Sequence, residues 1–204
     1  MIGLDELRVY FLVFVSVVAL FVASPALGRL LVYPRTEFFT ELWLLGPGHR
    51  AEGYPFNVSV GVNYTVFLGV SNRLGYCAYY VVMVKFRNES QPGPASFGPE
   101  GTRVPSNVSS LFNMSVFVGD QQVLEQPVTF SFTYTYDDAA KHADFSSMTF
   151  NDVALNMSGY TVAKNASATD YAGYLFFETW LYQNKTQGFT YHERFVSLRL
   201  NMTI

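Results

Sequence analysis

The chain has 204 residues, half of them apolar, with charged residues at only 14% and a formal net charge of −3. No Lys/Arg cluster is present, which excludes a basic nucleic-acid surface, and the lone Cys77 excludes an internal disulfide. Soluble domains carry roughly 25% charge, so a surface this poor in charge needs another way to stay hydrated.

Residues 9–27 read VYFLVFVSVVALFVASPAL, uncharged between Arg8 and Arg29. As a helix this stretch rises roughly 28 Å, close to the hydrocarbon thickness of a bilayer. It predicts one N-terminal transmembrane helix preceded by a cytoplasmic segment, 1–8. Ser24, Pro25 and Ala26 also offer a signal-peptidase site, but the apolar run exceeds a typical signal core, which favours a retained anchor. Ala19, Ala23 and Ser24 place small residues on one helical face, where a neighbouring helix can approach closely.

Arginines alone leave the orientation open, with Arg8 on one side and Arg29 and Arg35 on the other. The asparagines decide it. Asn57, Asn63, Asn88, Asn107, Asn113, Asn156, Asn165, Asn184 and Asn201 all stand in Asn-x-Ser/Thr sequons, leaving only Asn72 and Asn151 outside one. An N-glycan acceptor belongs on an external or lumenal domain, so the expectation is a cell-membrane protein with its N-terminus inside and its C-terminal domain outside. A heavily sequon-bearing ectodomain without paired cysteines fits an archaeal cell surface.

Residues 28–35 read as a tether and 36–204 as one external domain. Residues 38–45 form an aromatic and aliphatic strand, stopped by Gly46-Pro47-Gly48. In 56–71, Val58, Val60, Val62, Tyr64, Val66, Leu68 and Val70 alternate with Asn57, Ser59, Gly61, Asn63, Thr65 and Phe67. Residues 79–86 read as a continuous apolar run, apt for a strand buried on both faces, and Cys77 reads as a small buried residue. Residues 89–106, with four prolines and three glycines, form a long connection of a kind that is functional or mobile.

Residues 113–118 and 123–136 flank Gly119-Asp120 and predict a hairpin. Residues 137–145 read as a polar excursion, 148–157 and 160–163 as short strands, and 174–182 with 195–204 as a closing hairpin. In that last strand Val196, Leu198, Leu200, Met202 and Ile204 share one face. Parity supports the strands independently: at Asn57, Asn63, Asn113, Asn156 and Asn201 the acceptor points outward while the middle sequon residue points inward. The whole predicts an all-β fold, an antiparallel immunoglobulin-like β-sandwich behind the transmembrane helix.

Three segments, FTELWLLGP from Phe39, YPFNVSVG from Tyr54 and FTYHERFVSLRLN from Phe189, resemble an uncharacterised archaeal membrane-protein family, domain of unknown function 1616. The resemblance implies a membrane region followed by an external immunoglobulin-like domain and brings no activity or catalytic residues. Many such proteins have several N-terminal helices where this chain has one.

Chemistry is sparse. His49, His142 and His192 lack zinc-ligand spacing. Asp137, Asp138, Asp144, Asp152 and Asp170 are oxygen-ligand candidates for calcium, against which a solvated loop is the favoured reading. Glu178 and Glu193 lie on the closing hairpin but need a cleft for acid–base work. The 19 Phe and 14 Tyr belong first to the core and cross-strand pairs, and second to an aromatic protein- or glycan-binding surface. The expected function is a non-enzymatic accessory, structural or interaction subunit of a membrane or envelope complex, with protein partners and N-linked glycans and without metal or cofactor. The alternatives are a fibre-forming subunit that lends a strand, a glycan-binding module or a surface hydrolase.

Overall fold

The structure is a computed structural model that describes residues 4–30, 37–165 and 170–203. The chain divides into two compact units, 1–37 and 38–204. In the first, α1 (Leu4–Leu30) is a continuous helix of 27 residues, and its side chains from 8 to 24 are exposed. Among the described residues no helix is long and apolar enough to cross a membrane. The span expected over 9–27 therefore lacks that support, and the side chains of 25–27 lie outside the described residues. The expected tether begins as helix up to Leu30, and its remainder, 31–35, also lies outside them.

The second unit is all-β. Its strands are β1 (Phe39–Leu45), β2 (Asn57–Val58), β3 (Tyr64–Arg73), β4 (Ala78–Asn88), β5 (Phe112–Val118), β6 (Val123–Asp137), β7 (His142–Phe150), β8 (Val153–Asn156), β9 (Thr161–Ala163), β10 (Ala172–Gln183) and β11 (Gly188–Met202). One sheet runs β1-β3-β6-β7-β8, with β9 also on β7; the other runs β2-β11-β10-β4-β5. Neighbours pair antiparallel except β2 and β11, which are parallel from Asn57↔Asn201.

Alternation builds the core, because successive side chains of a strand leave on opposite faces. Val66, Leu68 and Val70 of β3 and Phe130, Phe132 and Tyr134 of β6 point inward from one sheet. Tyr80, Val82, Val84 and Phe86 of β4, Leu175 and Phe177 of β10, and Leu198, Leu200 and Met202 of β11 meet them from the other. The Phe86 ring packs 5.5 Å from Phe132 and 5.0 Å from Phe145. Ile204 lies outside the described residues.

Several expectations change. Residues 113–118 and 123–136 are strands but not a hairpin: β5 and β6 belong to different sheets. The reason is buried Asn72, whose backbone N–H donates to the Gln122 carbonyl (3.0 Å) while its carbonyl accepts from Gln121 N–H (2.8 Å). Its Nδ2 donates to the carbonyls of Tyr76 and Val118. These bonds hold the 119–122 turn where the chain crosses between sheets. Cys77 is exposed, not buried, because it closes the turn before β4. Val60 and Val62 are exposed as well, since β2 stops after Val58. The polar excursion at 137–145 holds the end of β6, the turn 138–141 and the first four residues of β7, and β11 begins seven residues earlier than the predicted strand at 195.

The strands define two ends. Phe39 pairs with Arg73, Ser71 with Val123, Ala78 with Val118, and Gln183 with Gly188. That is the end where the chain enters the sandwich. The opposite end carries β2, the last residues of β11 and the starts of β3 and β7.

Candidate interaction surface

The outward face of the β2-β11-β10-β4-β5 sheet holds a buried ion pair. Lys85 on β4 and Glu178 on β10 are diagonal neighbours, since Glu178 stands opposite Met83. They are 4% and 0% exposed, and Lys85 Nζ lies 2.7 Å from Glu178 Oε2. Both reach the same peptide unit region of the Pro/Gly connection. Ser106 N–H donates to Glu178 Oε1 (2.7 Å), and Lys85 Nζ donates to the Ser106 carbonyl (2.9 Å). A charged pair removed from water is tolerable only when such extra bonds satisfy it.

Loop 89–111 is thereby pinned over the sheet. Its own bonds give it shape: Ala95 N–H to the Val104 carbonyl, Val108 N–H to Ser106 Oγ, and Arg103 Nε to the Gly98 carbonyl. Arg87 braces its start by donating to the Asn88 and Gln91 carbonyls while stacking 4.0 Å over the Tyr174 ring. The connection expected to be functional or mobile is a docked, internally bonded loop.

Beside it β11 bulges. Thr179 faces Arg194 and Trp180 faces Tyr191, so His192 and Glu193 are extra on β11, and Glu193 takes a left-handed φ of 56°. A bulge re-aims side chains. Here His192 Nε2 lies 2.8 Å from Thr40 Oγ1, itself 2.8 Å from the Tyr80 hydroxyl. Glu193 Oε1 accepts from Arg103 N–H (3.2 Å). Burial, with help from Arg194, holds His192 below its ordinary value, so it is neutral near pH 7. Burial pushes the Tyr80 and Tyr191 hydroxyls up to about 12, with Glu178 and Glu193 adding to the effect at Tyr191.

The Tyr191 hydroxyl, Trp180 Nε1 and Glu193 Oε2 are buried without hydrogen-bond partners among the described residues. Tyr191 and Glu193 line a cavity of about 200 Å³, with Phe38, Thr40, Glu100 and His192 among others. The two carboxylates weighed for acid–base work are thus in different situations. Glu178 is sealed and neutralised by Lys85, and only Glu193 borders the cavity.

Towards the entry end the same face carries a row of rings across four strands. Phe117 of β5 stacks on Tyr79 of β4 at 4.1 Å, Tyr79 meets Phe189 of β11 at 5.1 Å, and Phe189 meets Tyr182 of β10 at 5.4 Å. Such cross-strand aromatic pairs hold a sheet together, and Phe117 leaves this row well exposed.

The sequon asparagines sort into two groups. Asn57, Asn63, Asn107, Asn113, Asn156 and Asn184 are exposed, while Asn88, Asn165 and Asn201 are half-buried. The amide nitrogens of that second group are engaged: Asn88 with the Thr161 carbonyl, Asn165 with Glu89 Oε2, and Asn201 with Asn57 Oδ1. Parity alone therefore overstated Asn201. Of the calcium candidates, Asp137 accepts from Ala140 N–H, Asp144 pairs with His142 and Asp170 with Arg199. Among the described residues no three His, Cys, Asp or Glu side chains converge as a metal site. Ala19, Ala23 and Ser24 are exposed on α1. Sequence reasoning missed Lys85, Ser106, Thr40 and Tyr191. The one available signal was a lone lysine inside an apolar strand.

No family model matches the chain, and no curated protein does. Among solved structures it is similar to a β-glucosidase from Listeria innocua in complex with glucose, at TM-score 0.38 and 12% identity. The same enzyme in complex with isofagomine gives a TM-score of 0.37 and 13% identity. Each match covers 83% of this chain but only 17% of the enzyme. Likeness at that level carries neither fold nor activity across.

Proposed function

We propose that the chain is a non-enzymatic accessory subunit of a membrane or cell-envelope complex. Residues 9–27 anchor it once, and the immunoglobulin-like sandwich is displayed, N-glycosylated, on the outside. The observation behind this reading is the placement of the acceptors. Asn57, Asn63, Asn107, Asn113, Asn156 and Asn184 stand open to solvent, on a domain whose sequence is short of charge and rich in sequons. A glycan needs such an open acceptor on an external domain.

The anchor rests on the sequence, the uncharged run at 9–27 between Arg8 and Arg29, roughly 28 Å as a helix. The partner surface is the outer face around loop 89–111. A loop already held by Lys85 and Glu178 loses less entropy when something docks on it. Ala19, Ala23 and Ser24 supply a second contact, with a helix of the partner.

The test uses the full chain in its native membranes. Retention through an alkaline carbonate wash, with a mobility shift on deglycosylation, is the expected result. Release into the wash, or glycopeptide mass spectra with all six open acceptors bare, would overturn the reading.

A further inference from the structure

A polar cavity of about 340 Å³ lies where the chain leaves β4 and where it enters β9. Three short segments supply its walls: Asn88 with Gln91, residues 107–109, and residues 158–161. Buried Phe86 also lines it, with its ring 6.3 Å from that of Tyr160, edge to face. Ligand sites run about 300–1,000 Å³, so this one suits a single ring-sized unit.

The walls are held before any ligand arrives. Asn88 Oδ1 accepts from the N–H groups of Ser90 and Gln91, both at 3.1 Å. Its Nδ2 donates to the Thr161 carbonyl (3.1 Å), which ties the first wall to the third. The second wall follows Ser106, clamped by Lys85 and Glu178, and Val108 N–H donates to Ser106 Oγ (3.1 Å). Tyr160 is fixed through both backbone groups, its N–H to the Met157 carbonyl and its carbonyl from Phe145 N–H, each 3.0 Å. Walls ordered in advance lower the entropy lost on binding.

What they present is polar and uncharged. Gln91 commits its side-chain carbonyl to Asn88 N–H (3.1 Å) and keeps its amide N–H groups. Among the described residues, the Asn107 amide and the hydroxyls of Ser109, Ser158, Tyr160 and Thr161 are not engaged by other protein groups, and no lining residue is charged. Burial raises the Tyr160 hydroxyl above its ordinary value, so it stays neutral. Hydroxyls and amides can both donate and accept, which matches a ligand made largely of hydroxyl groups. A charged ligand would lose its hydration here without a counter-charge, and a lipid tail would leave the polar lining unpaired. The Tyr160 ring offers the apolar C–H side of a sugar ring a surface to rest on.

We infer that this cavity seats one neutral saccharide unit, bonded by Gln91, Ser158 and the neighbouring hydroxyls. Two sources share that chemistry. One is a glycan on Asn107, an exposed acceptor that itself lines the cavity; the other is a separate cell-surface saccharide. Only the first source rests on the glycosylated reading above.

The test compares the full-length chain in detergent, made with N-glycosylation and in a host without it. The probes are methyl glucoside, methyl mannoside and N-acetylglucosamine, with glucuronate as the charged control. In the unglycosylated chain at least one neutral probe should slow amide exchange at 158–161 several-fold and show saturation transfer by NMR, while glucuronate does neither. Gln91→Ala/Ser158→Ala, which trims two exposed side chains, should weaken that binding several-fold with an unchanged circular dichroism spectrum.

The glycosylated chain then identifies the source. Slow exchange at 158–161 without added sugar, lost in Asn107→Gln, supports the chain's own glycan; probe binding at undiminished strength supports a separate saccharide. No binding of any neutral probe, together with equal exchange in the two forms, would overturn the proposal. So would binding that the double variant leaves unchanged, or glucuronate binding as well as the neutral sugars. All acceptors bare in native material would overturn the glycosylated reading alone, because binding to the unglycosylated chain is measured without it.

Discussion

Lys85→Met removes one partner of the buried pair and leaves Glu178, fully buried, facing a methyl group. Breaking such a pair typically costs about 3–5 kcal/mol, because the remaining charge is uncompensated. The Ser106 carbonyl loses its donor as well. For a domain of this size each kcal/mol moves Tm by about 2–4 °C, so a fall of roughly 6–20 °C is expected. The double variant Lys85→Met/Glu178→Leu removes both charges but orphans both sides of Ser106, at about 1–3 kcal/mol per unsatisfied group. It should therefore melt above Lys85→Met and below the parent chain. Melts of the full chain in detergent give the two shifts, and hydrogen exchange at the Ser106 amide tests the clamp directly. That amide should lose protection in both variants. A Lys85→Met variant within about 1 kcal/mol of the parent, below the range for a broken buried pair, with Ser106 still protected, would refute the reasoning.

Leu198→Ala should cost about 2–5 kcal/mol by leaving a cavity, whereas Ser197→Ala, exposed on the opposite face, should change little; denaturant melts compare them. His192 is held below its ordinary 6.5 by burial, so the unfolded chain binds its proton first as pH falls. Stability should therefore drop as pH goes below about 6.5, and His192→Gln should flatten that part of a Tm-against-pH curve. Native glycopeptides should show Asn57 occupied and Asn201 bare, because the Asn201 amide is bonded to Asn57 Oδ1 and to Tyr171 N–H. Equal occupancy at the two would mean that this contact does not persist during modification.

Local alternation made much of the sandwich readable. Phe130, Phe132 and Tyr134 turned inward from their threonine and serine neighbours, and Leu198, Leu200 and Met202 did the same at the end of β11, since period 2 is a property of the strand itself. What lay beyond local pattern was partnership between segments. Gly119-Asp120 has the composition of a hairpin turn, yet β5 and β6 part to different sheets, because the bonds that decide it come from Asn72, some fifty residues earlier. The same holds for the candidate surface. An apolar strand interrupted by Lys85 does not announce that Glu178 will stand diagonally across from it, or that Ser106 will close over both. Those three meet only because β10 pairs with β4 in one register and the loop returns across their outer face. A one-residue slip would send either charge into the core. Strand periodicity is written along the chain; register, sheet membership and the burial of a charge are settled by distant residues once the sheets have formed.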